Sequence, residues 1–280
     1  MTEMYRFRFY LQRALFWITL VAFLAVIVAP IYWMVNTSLK TPREVISPIP
    51  TFFPQTPTLQ NYGNVFSAGI WRNFYNTVVV AVSSTASSIV LAFLASYALV
   101  RFRFPLKINR LFLIWVLVVR ILPPIVLAVP LFTVFNQVRL INTLAGLIIA
   151  FQIYTLPYSI WIIYGFLKSL PLEFEEAAMI DGASPGRVLV SIVAPLVRTG
   201  VIATSIFSLI LAWNEFLFAL LFVRTPRLLT LPVVISRYIG EYSTQWGELM
   251  AIGLMASLPI LVFSNLVYRQ LTQGFSMSLK

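Results

Sequence analysis

The sequence predicts an all-α fold: a polytopic membrane helical bundle of six transmembrane helices, N-in and C-in, with one sizeable cytoplasmic helical loop between the fourth and fifth spans. Three observations predict it. The 280 residues are 60% hydrophobic and 10% charged, with a mean hydropathy of +0.89, which is too apolar for a chain solvated by water alone. Six apolar runs recur, each long enough at 1.5 Å per residue to cross about 30 Å of hydrocarbon. The basic residues cluster at the ends of those runs, unevenly between the two sides.

Composition also excludes several kinds of chemistry. With no Cys and no His there are no disulfides, no thiolate or imidazole metal sites, no Ser-His-Asp triad and no Cys nucleophile, so no catalytic and no metal-binding residue is assigned. The formal charge of +11 does not point to nucleic acid, because the basic residues flank apolar runs instead of lining one soluble face.

Residues 1–13 form a short basic cytoplasmic segment carrying Arg6, Arg8 and Arg13, and 14–280 form a single transmembrane domain. The first span, 14–35, exceeds a signal-peptide apolar region and lacks an Ala-x-Ala site after it, so it reads as a retained anchor. The loop 36–73 holds Pro42, Pro48, Pro50, Pro54 and Pro57 and is expected to be extended. The second span, 74–100, carries Ser83, Ser84, Thr85, Ala86, Ser87 and Ser88, small residues that let helices approach closely inside a bundle; a polar pore wall is the alternative.

The third span, 111–135, contains Pro123, Pro124 and Pro130 and must kink or break, which suggests a cavity. Arg120 lies within it, where a helix-centre charge costs about +2.5 to +3.5 kcal/mol, so the guanidinium is expected to face water or a carboxylate, or to snorkel to an interface. The fourth span, 144–167, includes Gln152, Tyr154 and Pro157, and the fifth, 201–223, has Trp213, Asn214 and Glu215 in its middle. Glu215 is the acidic residue placed in the membrane, and Arg120 is its expected partner, as a structural pair or in contact with cargo. Arg120, Gln152, Tyr154, Trp213, Asn214 and Glu215 are the candidate translocation path. The sixth span is 247–271, and no fixed-period repeat is present.

Between the fourth and fifth spans, the loop 168–198 contains a polar island from Glu173 to Pro195. Pro171 suits a first helical position, Glu173, Glu175 and Glu176 suit the early turns, and Gly182 offers a left-handed stop. Ser184 then reads as an N-cap before Pro185, opening a second short helix that Pro195 interrupts. Ala177, Ala178 and Ala183 keep the elbow thin enough for a partner's surface to approach, while Glu175, Glu176 and Asp181 supply charge. An ordinary solvated helical loop is the plain alternative. With a cytoplasmic N-terminus, twelve of the 20 basic residues fall inside, seven outside and Arg120 in the membrane, which puts the island in the cytoplasm.

Glu176-Ala177-Ala178, then Gly182 after three intervening residues, then Ile192 and Pro195, resemble the EAA motif of permease subunits in bacterial ATP-binding-cassette importers. Tyr164-Gly165-Phe166-Leu167, Pro171, Glu175 through Ser184, and Trp213-Asn214-Glu215-Phe216 resemble the carbohydrate-uptake branch, most of all the smaller permease of maltose- and trehalose-type transporters. The likeness covers essentially the whole chain. Ala194 departs from it, since the motif commonly has Leu there.

The resemblance implies a multi-pass protein of the bacterial inner membrane. It implies that Glu173, Glu175, Glu176, Ala177, Ala178, Asp181, Gly182, Ala183, Ile192 and Pro195 form a coupling helix docking in a cytoplasmic ATP-binding-cassette ATPase dimer, with Glu176 on a basic residue there. ATP and Mg belong to that ATPase: this chain has no Gly-x-x-x-x-Gly-Lys-Ser/Thr loop, binds no cofactor itself and is expected to be a transport subunit, not an enzyme. The other implied partners are a second homologous permease subunit, an extracytoplasmic solute-binding protein, a sugar and membrane lipid. On the outer side, Tyr238, Gly240, Tyr242 and Trp246 are the expected contact with the binding protein, with packing at the membrane surface as the alternative. The tail 274–280 is a second expected contact with the ATPase. A polyol or glycerol phosphoester stays open as cargo. Two other classes stay open as well, an ion-coupled secondary transporter, against which the lack of inverted repeats counts, and an intramembrane enzyme built on Glu215 and Asn214.

Overall fold

The computed structural model describes residues 2–240 and 244–277, with side chains over 8–240 and 244–265. In chain order the helices are α1 Thr2–Ser38, α2 Pro42–Val45, α3 Gln60–Ser67, α4 Ile70–Arg101, α5 Ile108–Ile121, α6 Pro124–Gln137, α7 Leu144–Ala150 and α8 Gln152–Lys168. They continue as α9 Glu173–Ile180, α10 Pro185–Val188, α11 Ala194–Leu196, α12 Arg198–Trp213, α13 Leu217–Phe222, α14 Leu231–Arg237 and α15 Trp246–Met277. Among the described residues there is no strand, only an antiparallel bridge between Ile239 and Thr244. Four helical stretches are long and apolar enough to cross a membrane, or six counting two pairs bent at a break. The all-helical membrane bundle is as the sequence predicts.

Packing divides the chain into two units, residues 1–69 with 235–257, and residues 70–234 with 258–280. In the first unit, α1 runs unbroken from the basic segment through Pro30, and from Phe9 to Val35 its apolar side chains are exposed apart from half-buried Leu20 and Met34. The loop expected to be extended is instead partly helical. Asn36, Thr37 and Ser38 complete α1 and are buried, and Thr41 caps α2 by accepting from the Glu44 N–H, with Pro42 at the first helical position. Proline there loses no hydrogen bond, because a first-turn N–H has no helical partner anyway. Buried Lys40 donates to the Thr51 carbonyl at 2.5 Å and sits 5.1 Å from the centre of the Trp33 ring. Asn61 donates to the Ser38 and Lys40 carbonyls at 2.8 and 2.9 Å, and Gly247 lies so close that a β-carbon would sit 2.6 Å from the Asn61 amide.

The second unit is built on α4, α8 and α12. α4 starts at Ile70, earlier than expected, and turns its small residues inward: Ser84, Ser88, Ala92 and Ser96 are fully buried. A hydroxyl chain crosses all three helices, with Ser88 Oγ 3.1 Å from Ser159 Oγ and Ser159 Oγ 2.8 Å from Ser208 Oγ, while Ser96 donates to the Ile160 carbonyl at 3.0 Å. These bonds span helices that approach closely because nothing larger intervenes. Within the serine-rich stretch Ser84, Thr85 and Ser88 are buried in this packing, while Ser83 and Ser87 are half-buried and Ala86 is exposed.

The third span breaks where the prolines stand. α5 and α6 meet at 99° across Leu122 and Pro123, and Pro124 opens α6. The fifth span differs from its expected bounds: α12 begins at Arg198, ends at Trp213, and α13 resumes only at Leu217. Trp213, Asn214 and Glu215 therefore stand at the end of one helix and in the gap before the next, instead of along a continuous span.

Candidate functional site

The polar island folds as two short helices with a tight elbow. α9 ends where Gly182 takes φ +86°, a conformation that disfavours any side chain, and the Gly182 and Ala183 N–H groups donate to the Met179 and Ala178 carbonyls. The start differs from expectation: Pro171 precedes the helix, which opens at Glu173 behind Leu172. Ser184 occupies the N-cap position in an extended conformation, yet its side chain makes no cap bond. Pro195 does not interrupt the second helix. The backbone widens into a π turn over Leu189–Val193 and closes again as α11, which relieves the clash of the proline ring with the preceding turn, and the chain bends by 75° only at Val197.

The island is seated on the bundle. Val188 and Val193 join a core with Leu99, Val116, Ile163 and Leu167, and Ala178 and Ala183 pack half-buried against it. Of the three alanines expected to admit a partner, Ala177 alone is exposed. Glu175 does not supply outward charge: it is 2% exposed, with Oε1 accepting from Arg101 Nε at 2.6 Å and Oε2 from the Tyr97 hydroxyl at 2.8 Å. A carboxyl group withdrawn from water is costly unless its oxygens find partners, and both do here. Glu173, Glu176, Asp181, Gly182 and Pro195 are exposed, and Ile192 is half-buried. Around them Phe174, Met179 and Ile180 present apolar surface, Ile180 at 86% exposure.

A cavity of about 240 Å³ opens at the α5–α6 break, between Arg120, Leu122 and Pro124 on one side and Tyr154, Tyr158 and Phe207 on the other. The Arg120 guanidinium lies 5.3 Å from the centre of the Tyr158 ring. The expected Arg120–Glu215 pair does not form. Glu215 is 6% exposed and caps α13, accepting from the Phe218 N–H at 2.9 Å and the Ala219 N–H at 3.3 Å, with the Tyr154 hydroxyl on the same carboxyl group. The four unsatisfied N–H groups at the start of a short helix are what bring the carboxyl there.

The other candidates for the path divide as well. Gln152 Nε2 donates to the Ser84 carbonyl, Ser87 Oγ and the Ile148 carbonyl at 3.0 to 3.1 Å, so it ties α8 to α4. Trp213 is buried edge-on against Phe74 and Phe263, and exposed Asn214 donates back to the Ile210 carbonyl. Arg120 and Tyr154 are thus the expected residues that line the cavity. Of the outer-loop candidates, Tyr238 is half-buried, with its hydroxyl pKa raised by that burial, Gly240 is exposed, and Trp246 opens α15 at 47% exposure. Tyr242 and the last residues of the tail, 278–280, lie outside the described residues.

Residues 88–277, which hold the island, the cavity and its surrounding helices, match the family of binding-protein-dependent transport system inner membrane components. The chain belongs to this family. The permease is 38% identical over 251 residues to the sulfoquinovosyl glycerol transport system permease protein SmoH of Agrobacterium fabrum, covering 88% of this chain and 87% of that one. It is 30% identical over 271 residues to the trehalose transport system permease protein SugB of Mycobacterium tuberculosis, covering 95% and 97%. Its fold matches a chain in the crystal structure of a bacterial ABC transporter involved in the import of the acidic polysaccharide alginate, with TM-score 0.78 and 19% identity over 90% of this chain and 93% of that one.

Two residues of the permease's island contact escaped sequence reasoning. Arg101 is one of the twelve basic residues counted on the inner side, and Tyr97 carries no expectation from the sequence. The available signal was a basic residue in the last turn of a long apolar helix, with an acidic helix elsewhere in the chain to receive it.

Proposed function

We propose that this permease is the membrane-spanning subunit of an ATP-driven, binding-protein-dependent importer of a sugar, a di- or oligosaccharide by preference, in a bacterial inner membrane. The observation that carries the reading is the island itself. α9 offers one continuous exposed surface of Glu173, Glu176, Ala177, Met179 and Ile180, ended by Gly182 and braced from behind by the bundle. An apolar patch rimmed by carboxylates on a rigid support fits a protein partner with a basic, apolar cleft. That partner is a cytoplasmic ATPase dimer, which binds the ATP and Mg and supplies the catalysis. The charge distribution supports N-in and C-in topology, with 14–280 as one transmembrane domain. A second permease subunit and an extracytoplasmic binding protein complete the assembly, consistent with relatives named for trehalose and sulfoquinovosyl glycerol transport.

Arg120, Tyr154 and Tyr158 are the proposed cargo contacts, because an arginine and two phenols around an apolar space present donors and ring faces to a sugar. The outer residues Tyr238, Gly240, Tyr242 and Trp246 are proposed to meet the binding protein. Uptake into proteoliposomes holding the permease, its partner permease and the ATPase tests the reading. Accumulation of labelled sugar that requires both ATP and the binding protein is the expected result. Accumulation driven by an ion gradient without ATP would overturn it.

A further inference from the structure

α4 is pinned by side chains near both ends. In its last turn, Arg101 Nε donates to Glu175 Oε1 at 2.6 Å, Arg101 Nη2 to the Leu170 carbonyl at 3.0 Å, and the Tyr97 hydroxyl to Glu175 Oε2 at 2.8 Å. In its first turns, Asn73 Nδ2 donates to the Pro226 and Leu229 carbonyls at 3.1 and 2.9 Å, and Asn76 Nδ2 to the Arg227 and Leu229 carbonyls at 2.8 and 3.1 Å. The Leu231 N–H adds a bond to Thr77 Oγ1 at 2.8 Å. Glu175, Asn73, Asn76 and Thr77 are all buried. Between the two pins α4 is one helix with no proline, rising roughly 38 Å from Asn76 to Arg101 at 1.5 Å per residue.

We propose that α4 is a transmission rod that makes the island and the 226–231 segment move as one, with Arg101, Tyr97, Asn73 and Asn76 as its positioning residues. The inference rests on the importer reading, since it supposes an ATPase acting on the island. Both Glu175 oxygens are satisfied by α4, so shifting α9 away from α4 would strand a buried charge, which is far costlier than bending the short segments either side of α9. Displacement of α9 is therefore delivered to α4. At the other end each asparagine amide bridges two backbone carbonyls of the 226–231 segment, all four bonds coming from α4, so that segment follows α4. Loop 226–231 leads directly into α14 and the outer Tyr238 segment, the part of the chain proposed to sense the binding protein.

Linkage makes the rod testable, because a coupling between two sites is felt equally from either one. The complete complex, with both permeases, ATPase and binding protein, is compared in proteoliposomes as wild type, Tyr97→Phe, Asn76→Ala and the double variant, with Arg101→Gln/Glu175→Gln as a neutral replacement of the ion pair. The readouts are the ratio of binding-protein-stimulated to basal ATP hydrolysis, uptake per ATP, and co-purification of the ATPase. Tyr97→Phe and Asn76→Ala are each expected to lower the stimulation ratio and uptake per ATP by roughly fivefold or more with the ATPase retained. The double variant should be little worse than the poorer single one, since the two pins act in series and the looser one limits what the rod transmits. The Gln/Gln variant, which keeps a hydrogen-bonded pair, should hold more coupling than Arg101→Gln alone.

Wild-type ratios at either end would overturn the proposal, as would losses that multiply in the double variant or a Tyr97→Phe complex that sheds its ATPase. Failure of the wild-type complex to couple ATP to uptake would instead refute the importer reading.

Discussion

A double-mutant cycle on Arg120 and Glu215 separates two accounts of the basic and the acidic residue that the sequence places in the middle of the expected spans. Had they paired, removing one would strand the other, at about 3–5 kcal/mol, and the double change would recover most of it. The structure gives each its own partner: Glu215 caps α13 through the Phe218 and Ala219 N–H groups, and Arg120 lies over Tyr158 at the cavity. Glu215→Ala then costs a buried cap, about 1–3 kcal/mol from the lost acceptor and the N–H groups it leaves unpaired. Arg120→Ala costs a cation–ring contact and some packing, about 0.5–1 kcal/mol. The two losses should add, with a coupling energy below about 0.5 kcal/mol. Unfolding of the four proteins in mixed detergent micelles, followed by circular dichroism, measures it. A coupling of about 2 kcal/mol or more, with the double variant more stable than Glu215→Ala, would refute the assignment of separate partners.

Three further outcomes follow from particular residues. Gly182 is held at φ +86°, so Gly182→Asn should retain more ATP-coupled uptake than Gly182→Val, since a β-branched residue there strains the end of α9 by about 1–3 kcal/mol; equal activity of the two would show that the turn does not matter. Gly146→Ala should destabilise more than Gly200→Ala in the same unfolding assay, because the new methyl group meets the Leu140 carbonyl oxygen at 146 but the movable Phe166 ring at 200, and Phe166→Ala should rescue only the latter. Glu44, held by the Thr51 hydroxyl and the Gln55 N–H, has its pKa lowered below 4.5 chiefly by the Thr51 bond. Its folded pKa is depressed, so its stabilisation is present above 4.5 and is lost as pH falls through the lowered value. Hydrogen-exchange protection factors over residues 41–56, taken relative to the intrinsic rate at each pH, should therefore fall on acidification below that point in the wild type and not in Glu44→Gln.

Local features read well from the chain alone. The break at Pro123 and Pro124 was expected because proline lacks an N–H and collides with the preceding turn, and the two helices do part there at 99°. Gly182 reads as a stop because glycine adopts the left-handed conformation without strain, and it takes that conformation. Prolines in 36–73 misled for a related reason. Pro42 excludes a helix interior but suits a helix start, and only the Thr41 cap and the burial of Asn36 to Lys40 decide between them. Pro195 misled similarly, since one extra residue per turn over Leu189–Val193 makes room for a ring that a regular α-helix would reject.

By itself the sequence determined a helical membrane bundle, its polar island and the places where the backbone must bend, since apolar length, φ limits and missing donors are properties of residues and their near neighbours. It could not say which of Glu173, Glu175 and Glu176 turns inward, because that depends on where α4 ends relative to α9. Tertiary structure decided that Glu175 meets Arg101 and Tyr97 while Glu176 stays exposed, that Glu215 caps a helix instead of meeting Arg120, and that Gln152 and the serines bind helix to helix. A buried polar group takes whichever partner the packing brings within about 3 Å, and residues 74 positions apart in the chain become neighbours only once the helices have found one another.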